Sequence, residues 1–176
     1  MSDLKNAAVL CKLVGCLRIR DNWAGETHIQ KTWFFLQDLF GAPEEYDFVL
    51  HHYGPFSFEL RGQLENMLAE GFVELERVPG YGPRYRVTDL GKQLMSKYPV
   101  ALEKRLSLLD KAADFVGKQG AGDLERISTA LYLINDNDKD SDSGIAKRLI
   151  EIKPHITEKA ALDAVREMRK ALGAIS

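Results

Sequence analysis

The chain has 176 residues, of which 45% are hydrophobic and 28% charged, and its formal net charge is −2. This composition is typical of a globular protein with enough apolar material for a core that needs no disulfide framework. A dedicated nucleic-acid binder is often strongly basic, so the weakly acidic balance argues against that class without excluding it.

The two cysteines, Cys11 and Cys16, lie in one predicted helix and point to different sides of it. We expect both to be unpaired core residues, as is usual in a reducing cytosol. No stretch has the length of a membrane span or the pattern of a targeting segment. These features predict a cytoplasmic protein with no membrane partner.

Apolar periodicity predicts a first helix from about Leu4 to Arg18. A second helix is predicted to begin after Thr27, because Thr27 and Gln30 have the spacing of a capping box. It ends at Gly41, which provides a left-handed cap. Its apolar stripe consists of Ile29, Trp33, Leu36 and Phe40.

The next helix follows a short β-prone segment that ends near His51. Gly54 and Pro55 predict a turn, and Ser57 after them is a good N-cap residue. The third helix then runs to about Glu70, with an inward stripe of Leu60, Leu64, Met67 and Leu68.

Two short runs of partly alternating residues, 72–77 and 84–87, flank a cluster of glycine and proline. Such runs predict a β-hairpin, and Thr88 after it caps a fourth helix. The order helix, helix, helix, hairpin, helix predicts a winged-helix domain over residues 1–99. In that fold the third helix enters a groove and the hairpin, or wing, flanks it.

Residues 100–176 are predicted to form a helical extension packed on that domain. Its first helix starts at Pro99, the next is capped by Asp123, and the last follows Thr157. A polar, acidic loop is predicted at 135–143, after the helix that Asp123 caps and before the last helix. The predicted fold class is therefore α+β, mainly α: a winged helix-turn-helix with a C-terminal helical extension.

The segment from His51 to Ser57, His-His-Tyr-Gly-Pro-Phe-Ser, resembles the "YHYGPFS"-type segment of the YwgA-like family of small proteins. More distantly it is similar to the Panacea antitoxin domains, which share this turn before a helix. The stretches 70–73, 87–91 and 152–157 fit the same resemblance. It implies a winged-helix fold and no settled activity; related domains are proposed to neutralise partner proteins or to bind DNA.

DNA binding is one functional hypothesis. Direct readout needs donors on an exposed helix face, and phosphate contacts need cations. The candidate DNA-binding residues lie on the third helix and the wing: Arg61, Gln63, Asn66, Arg77, Arg84 and Arg86. Carboxylates on the same helix, among them Glu59 and Glu65, would repel phosphates.

The alternative hypothesis is a protein-interaction module, either antitoxin-like or an adaptor, whose acidic third-helix face meets a basic partner protein. Homodimerisation is compatible with both hypotheses by analogy with other winged-helix proteins. The sequence therefore leaves both DNA and a partner protein as candidate partners.

No pattern predicts catalysis, a cofactor or a metal site. There is no glycine-rich phosphate loop and no nucleophile elbow. His51 and His52 are adjacent and point to opposite sides of an extended segment, so they do not share a metal. Asp136, Asp138 and Asp140 alternate as in a calcium loop, but Ser141 and Lys147 stand where such a loop needs Gly and Glu. A non-enzymatic protein with a mobile acidic linker is predicted.

An aromatic cluster surrounds the second helix: Trp23, Trp33, Phe34 and Phe35. Phe34 lies partly off the apolar stripe of that helix. Exposed aromatics mark an interface, whereas buried ones would pack on the C-terminal helices. The sequence leaves both alternatives open.

Overall fold

The computed structural model describes residues 3–43 and 45–175. This part of the chain is α+β and mainly helical, which confirms the coarse fold class, with two separate two-stranded antiparallel sheets. The helices are α1 (Leu4–Ile19), α2 (Glu26–Asp38), α3 (Phe58–Ala69), α4 (Asp89–Lys97), α5 (Pro99–Val116), α6 (Ala121–Asp136), α7 (Asp142–Ile152) and α8 (Glu158–Ile175). The strands are β1 (Val49–His51), β2 (Gly54–Phe56), β3 (Val73–Glu76) and β4 (Arg84–Val87).

Helix α2 is the centre of the molecule. Every residue from 28 to 37 is buried, polar residues included. Strand β2 and helix α3 pack against it, and so do α5 and α6 from the C-terminal half. A single hydrophobic cluster therefore runs through both halves of the chain.

The start of α2 differs from the prediction. The N-cap is Gly25 and not Thr27, and no side chain caps this end. Gln30, predicted to complete a capping box, instead donates to the carbonyl oxygen of Ser57 at 2.9 Å and accepts from the Ser57 amide at 3.0 Å. The buried Gln30 amide thus joins α2 to the start of α3, because both backbone groups of Ser57 would otherwise be buried without partners.

The first hairpin also corrects the sequence interpretation. Gly54 and Pro55 lie in strand β2 and not in a turn, and the turn is formed by His52 and Tyr53. Gly54 has φ +86°, and a Cβ at this position would lie 2.9 Å from Oγ1 of Thr129 on α6. Glycine is therefore required both by the backbone conformation and by the close approach of α6.

The predicted elements from Ser57 to Lys97 are confirmed. Ser57 caps α3 and Thr88 caps α4, each accepting a hydrogen bond from a backbone amide of its first turn. Strands β3 and β4 form the predicted hairpin, with Val73 opposite Val87. Gly91 of α4 approaches the carbonyl oxygen of Phe72 so closely that an added Cβ would lie 2.2 Å from it.

The C-terminal half is helical as predicted, but two details differ. Helix α6 begins at Ala121 with Gly120 as N-cap, so Asp123 lies inside the first turn and does not cap it. The acidic loop is held to α8 by Arg169, whose Nε donates to Asp142 at 3.0 Å and whose Nη2 donates to the carbonyl of Asp140 at 2.7 Å. The predicted mobile linker is therefore tied to α8 by a side chain that the sequence analysis did not consider.

Both cysteines are free and buried, as predicted. Within residues 3–43 and 45–175, no helix combines the length and apolar character needed to cross a lipid bilayer.

Candidate interaction surface

Two of the three candidate DNA-binding residues of α3 are engaged by other groups of the protein. Gln63 is buried and donates to the carbonyl oxygen of Asp3 at 3.2 Å. Asn66 is half-buried. Arg61 is exposed, but its Nε lies 3.0 Å from Glu65 and 3.8 Å from Glu26. The hydrogen bond to Glu65 is the main reason why the pKa of Arg61 is raised.

Two of the three hairpin arginines are also ion-paired. Arg84 makes a bidentate contact with Glu76, both bonds being 2.9 Å long. Arg86 pairs with Glu74 across the hairpin. Glu76 accepts a further bond from Arg18, and the arginines, Arg84 first, lower the pKa of its carboxyl.

Arg77, the remaining candidate, is exposed in the loop that follows β3, beside Val78 and Pro79. The structure places a glutamate against each of Arg61, Arg84 and Arg86. Phosphate binding depends on displacing counterions from the DNA with free cations. Cations already neutralised by carboxylates contribute little to it.

An apolar groove lies next to the β3–β4 hairpin. Its walls are the β3–β4 hairpin on one side and the first turns of α2 and α6 on the other, and its volume is about 590 Å³. Trp23 and Tyr81 face each other with ring centroids 5.1 Å apart. We call this the hairpin groove; its principal lining side chains are Trp23, His28, Leu75, Tyr81, Pro83 and Tyr85.

Two contacts hold the Trp23 side chain in place. Its Nε1 donates to the carbonyl oxygen of Gly82 at 3.1 Å, and the Arg84 guanidinium lies 4.9 Å from its ring centroid. The loop between α1 and α2, which carries Trp23, is held by Asn22. Asn22 donates to the carbonyl of Gly117 at 2.6 Å and accepts from the amide of Ala24 at 2.9 Å. These contacts hold Trp23 in the wall of the groove.

Tyr81 and Leu75 remain accessible at the edge of the groove, with 72% and 42% of their surface exposed. His28 is buried at its base, and burial is the main reason why its pKa is lowered. The walls are mostly apolar and include the carboxylate of Glu26, so the groove is suited to apolar groups and poorly suited to phosphates.

A second cluster lies beneath the first hairpin, where three charged side chains are buried. Lys31 of α2 donates to the carbonyl oxygen of Pro55 at 2.6 Å. Lys153, at the end of α7, donates to the carbonyls of His51, at 3.3 Å, and His52, and lies 3.0 Å from Oε1 of Glu125. Burial lowers the pKa of Lys31 to about 8.

This buried cluster was missed by the sequence analysis. Lys31 carries no signal of burial in the sequence, because polar residues such as Gln30 and Thr32 flank it in the second helix. Glu125 and Lys153 gave no signal either, because they are far apart in the sequence and only the tertiary fold brings them together.

The structure decides between the two alternatives, interface or core, for the aromatic residues around α2. Phe34 and Phe35 are both fully buried. Phe35 contacts Phe115 of α5 edge to face at 5.0 Å, and Phe34 contacts Tyr132 of α6 at 6.3 Å. These two side chains are core, and Trp23 is the aromatic that reaches the surface.

Among residues 3–43 and 45–175, no group of three or more histidine, cysteine, aspartate or glutamate side chains is arranged to hold a metal ion. No protein-family model matches this sequence, and no curated protein shows significant similarity to it. The resemblance to the YwgA-like family stays a prediction.

Proposed function

We propose that this chain is a non-enzymatic, winged-helix type regulatory protein that acts by binding a partner protein through the hairpin groove. The observation that carries the proposal is an open apolar groove with exposed Tyr81 and Leu75 at its edge, whereas Arg61, Arg84 and Arg86 are each paired with a glutamate. The order of α1 to α4 with the β3–β4 hairpin supports the winged-helix assignment. DNA binding through the same residues is the less favoured alternative.

The groove has the features of a protein-binding hot spot. Trp, Tyr and Arg are enriched at such sites, and here Trp23, Tyr81 and Arg84 lie in mutual contact or next to one another. A cavity of about 590 Å³ accommodates one or two large apolar side chains. The expected partner is a segment that inserts such side chains between Trp23 and Leu75.

Peptide display against the 176-residue chain tests this proposal. The selection is repeated with Tyr81→Ser and Leu75→Ser, which alter exposed groove residues, and with Val100→Ser as a matched control. Val100 is 62% exposed on α5 and lies outside the groove. We expect peptides with large apolar side chains that bind the wild type and the Val100→Ser protein and lose binding to both groove variants. Equal binding to all four proteins, or no enriched peptide, would overturn the proposal.

The DNA alternative is tested by fluorescence anisotropy of a labelled random duplex at low and physiological salt. We expect no binding at either salt concentration, because the paired arginines present little net positive charge. Binding that weakens steeply with salt and is reduced by Arg84→Ala or Arg86→Ala would favour the DNA-binding hypothesis instead.

A further inference from the structure

Three lysines surround a small surface cavity between helices α1, α4 and α5. Lys5 lies in the first turn of α1, Lys97 is the last residue of α4, and Lys104 lies in α5. All three are exposed, and none forms an ion pair with residues 3–43 or 45–175. The cavity has a volume of about 310 Å³, and no carboxylate of the described residues lines it. We call this surface the lysine patch.

The positive charge of the lysine patch exceeds the negative charge beside it. Asp3, which is close to Lys5 in the chain, caps α1 by accepting hydrogen bonds from two backbone amides. Glu103 precedes Lys104 in α5 but does not line the cavity. Like charges around a small volume repel one another, and a carboxylate placed among them is attracted by each. In a chain of net charge −2, the patch is a local reversal of sign that favours an acidic ligand.

The lysine patch also has an apolar part. Pro99, Val100 and Ala101 belong to the first turn of α5 and line the same cavity. Val100 is 62% exposed. An apolar surface with charged groups around it is the usual anatomy of a protein–protein interface. The cavity has room for about one large apolar side chain from a partner.

These features favour a peptide over other anions. Proteins that bind a DNA duplex make roughly 6–10 phosphate contacts, which is more than this patch provides. No arginine of the described residues lines the cavity, although arginine is the side chain suited to bidentate phosphate binding. A lipid surface presents head groups but no protruding side chain that would fill a cavity.

We propose that the lysine patch binds an acidic peptide segment of a partner protein, in which carboxylates flank an apolar side chain. The apolar side chain enters the cavity against Val100, and the carboxylates accept from the ammonium groups of Lys5, Lys97 and Lys104. No residue lines both this cavity and the hairpin groove. The patch is therefore a second binding site, and it does not depend on the function proposed for the groove.

A display library designed for this patch tests the proposal on the whole chain. Each peptide carries one fixed apolar residue, and the positions around it are drawn from aspartate, glutamate, asparagine, glutamine and serine. We expect the enriched peptides to carry carboxylates on both sides of the apolar residue. Their affinity, measured by fluorescence anisotropy, should fall as the salt concentration rises, because exposed ion pairs are screened. Enrichment of neutral peptides alone, or no enrichment, would overturn the proposal.

Charge-matched variants locate the site. The patch variant combines three changes: Lys5→Gln, Lys97→Gln and Lys104→Gln. The control removes the same charge from exposed positions of α7 and α8: Lys147→Gln, Lys159→Gln and Lys170→Gln. The enriched peptides should bind the patch variant roughly tenfold more weakly, since each exposed ion pair contributes about two- to threefold. The control should keep the wild-type affinity, and an equal loss in both proteins would contradict this location.

The apolar contact is tested separately with Val100→Ser, which should weaken the same peptides several-fold. Peptides that occupy the hairpin groove should keep their affinity in this protein and in the patch variant, so the two sites are distinguished. A labelled random duplex is titrated with the same proteins. Duplex binding that is lost in the patch variant, without enrichment of acidic peptides, would overturn the proposal in favour of nucleic acid.

Discussion

At the scale of single residues, Lys31 shows how burial changes chemistry. It is 1% exposed in the middle of α2, and desolvation is the main cause that lowers its pKa from 10.5 to about 8. Glu125 opposes this shift and Lys153 adds to it. The sequence analysis did not single out this lysine, because its pKa depends on its burial and on groups more than ninety residues away in the chain.

Lys31 gives the protein a specific pH dependence. Between pH 8 and 10.5 the unfolded chain holds a proton at Lys31 that the folded protein has released, so the free energy of unfolding rises with pH in this window. The contribution is on the order of 2 kcal/mol. Urea unfolding of the wild type and of Lys31→Met at pH 7.5 and 10 checks it.

The comparison with Lys31→Met is needed because of Tyr85, whose pKa is raised to about 12 by burial. This tyrosine lowers the free energy of unfolding of both proteins as the pH rises. The wild type should gain stability relative to Lys31→Met as the pH rises. A difference between the two proteins that does not change with pH would show that Lys31 titrates normally.

At the scale of elements, the sequence predicts helix ends well where a side chain forms the cap. Ser57 and Thr88 were found because a hydroxyl before an apolar period is a strong signal. The predicted starts of α2 and α6 were wrong, because their N-caps, Gly25 and Gly120, have no side chain that could form a cap. The polar residues just downstream, Thr27 and Asp123, fit the pattern of an N-cap and were chosen instead. The first hairpin was misread for a related reason: Gly-Pro usually marks a turn, but here contact with α6 selects an extended strand.

Glycine substitutions test these tertiary requirements. Gly54→Ala should lower the free energy of unfolding by more than about 1 kcal/mol, because of its positive φ and the Thr129 contact. Gly62→Ala is the control, since it lies within α3 with no atom within 4 Å of an added Cβ. That change should stabilise by up to about 1 kcal/mol. Chemical denaturation measures both, and similar effects of the two changes would contradict the proposed role of Gly54.

At the scale of the whole molecule, α2 belongs to both halves of the chain. The sequence suggested an N-terminal domain with an extension, and it assigned α2 a single apolar stripe. In the structure, Phe34 and Phe35 on the remaining faces pack against α6 and α5. Periodicity within one helix identifies its most apolar face, but it does not show how many neighbours surround the helix.

The shared core predicts that residues 1–98 do not fold alone. Removal of α5 to α8 would expose Phe34, Phe35 and the inward side of α1, which packs on α5. We expect the truncated chain to lack a cooperative thermal transition by circular dichroism, whereas the full chain unfolds in one step. A cooperative transition in the fragment would show that the N-terminal half is an independent domain.

The two tryptophans lie in contrasting surroundings. Trp33 is fully buried and donates from its indole nitrogen to Gln37 at 2.8 Å, while Trp23 forms a wall of the hairpin groove. The intrinsic fluorescence of the protein therefore has two components that respond to different events. Occupation of the groove would shift the emission of Trp23 to the blue and protect it from acrylamide, and Trp33 would act as an internal reference that changes only when the core itself comes apart.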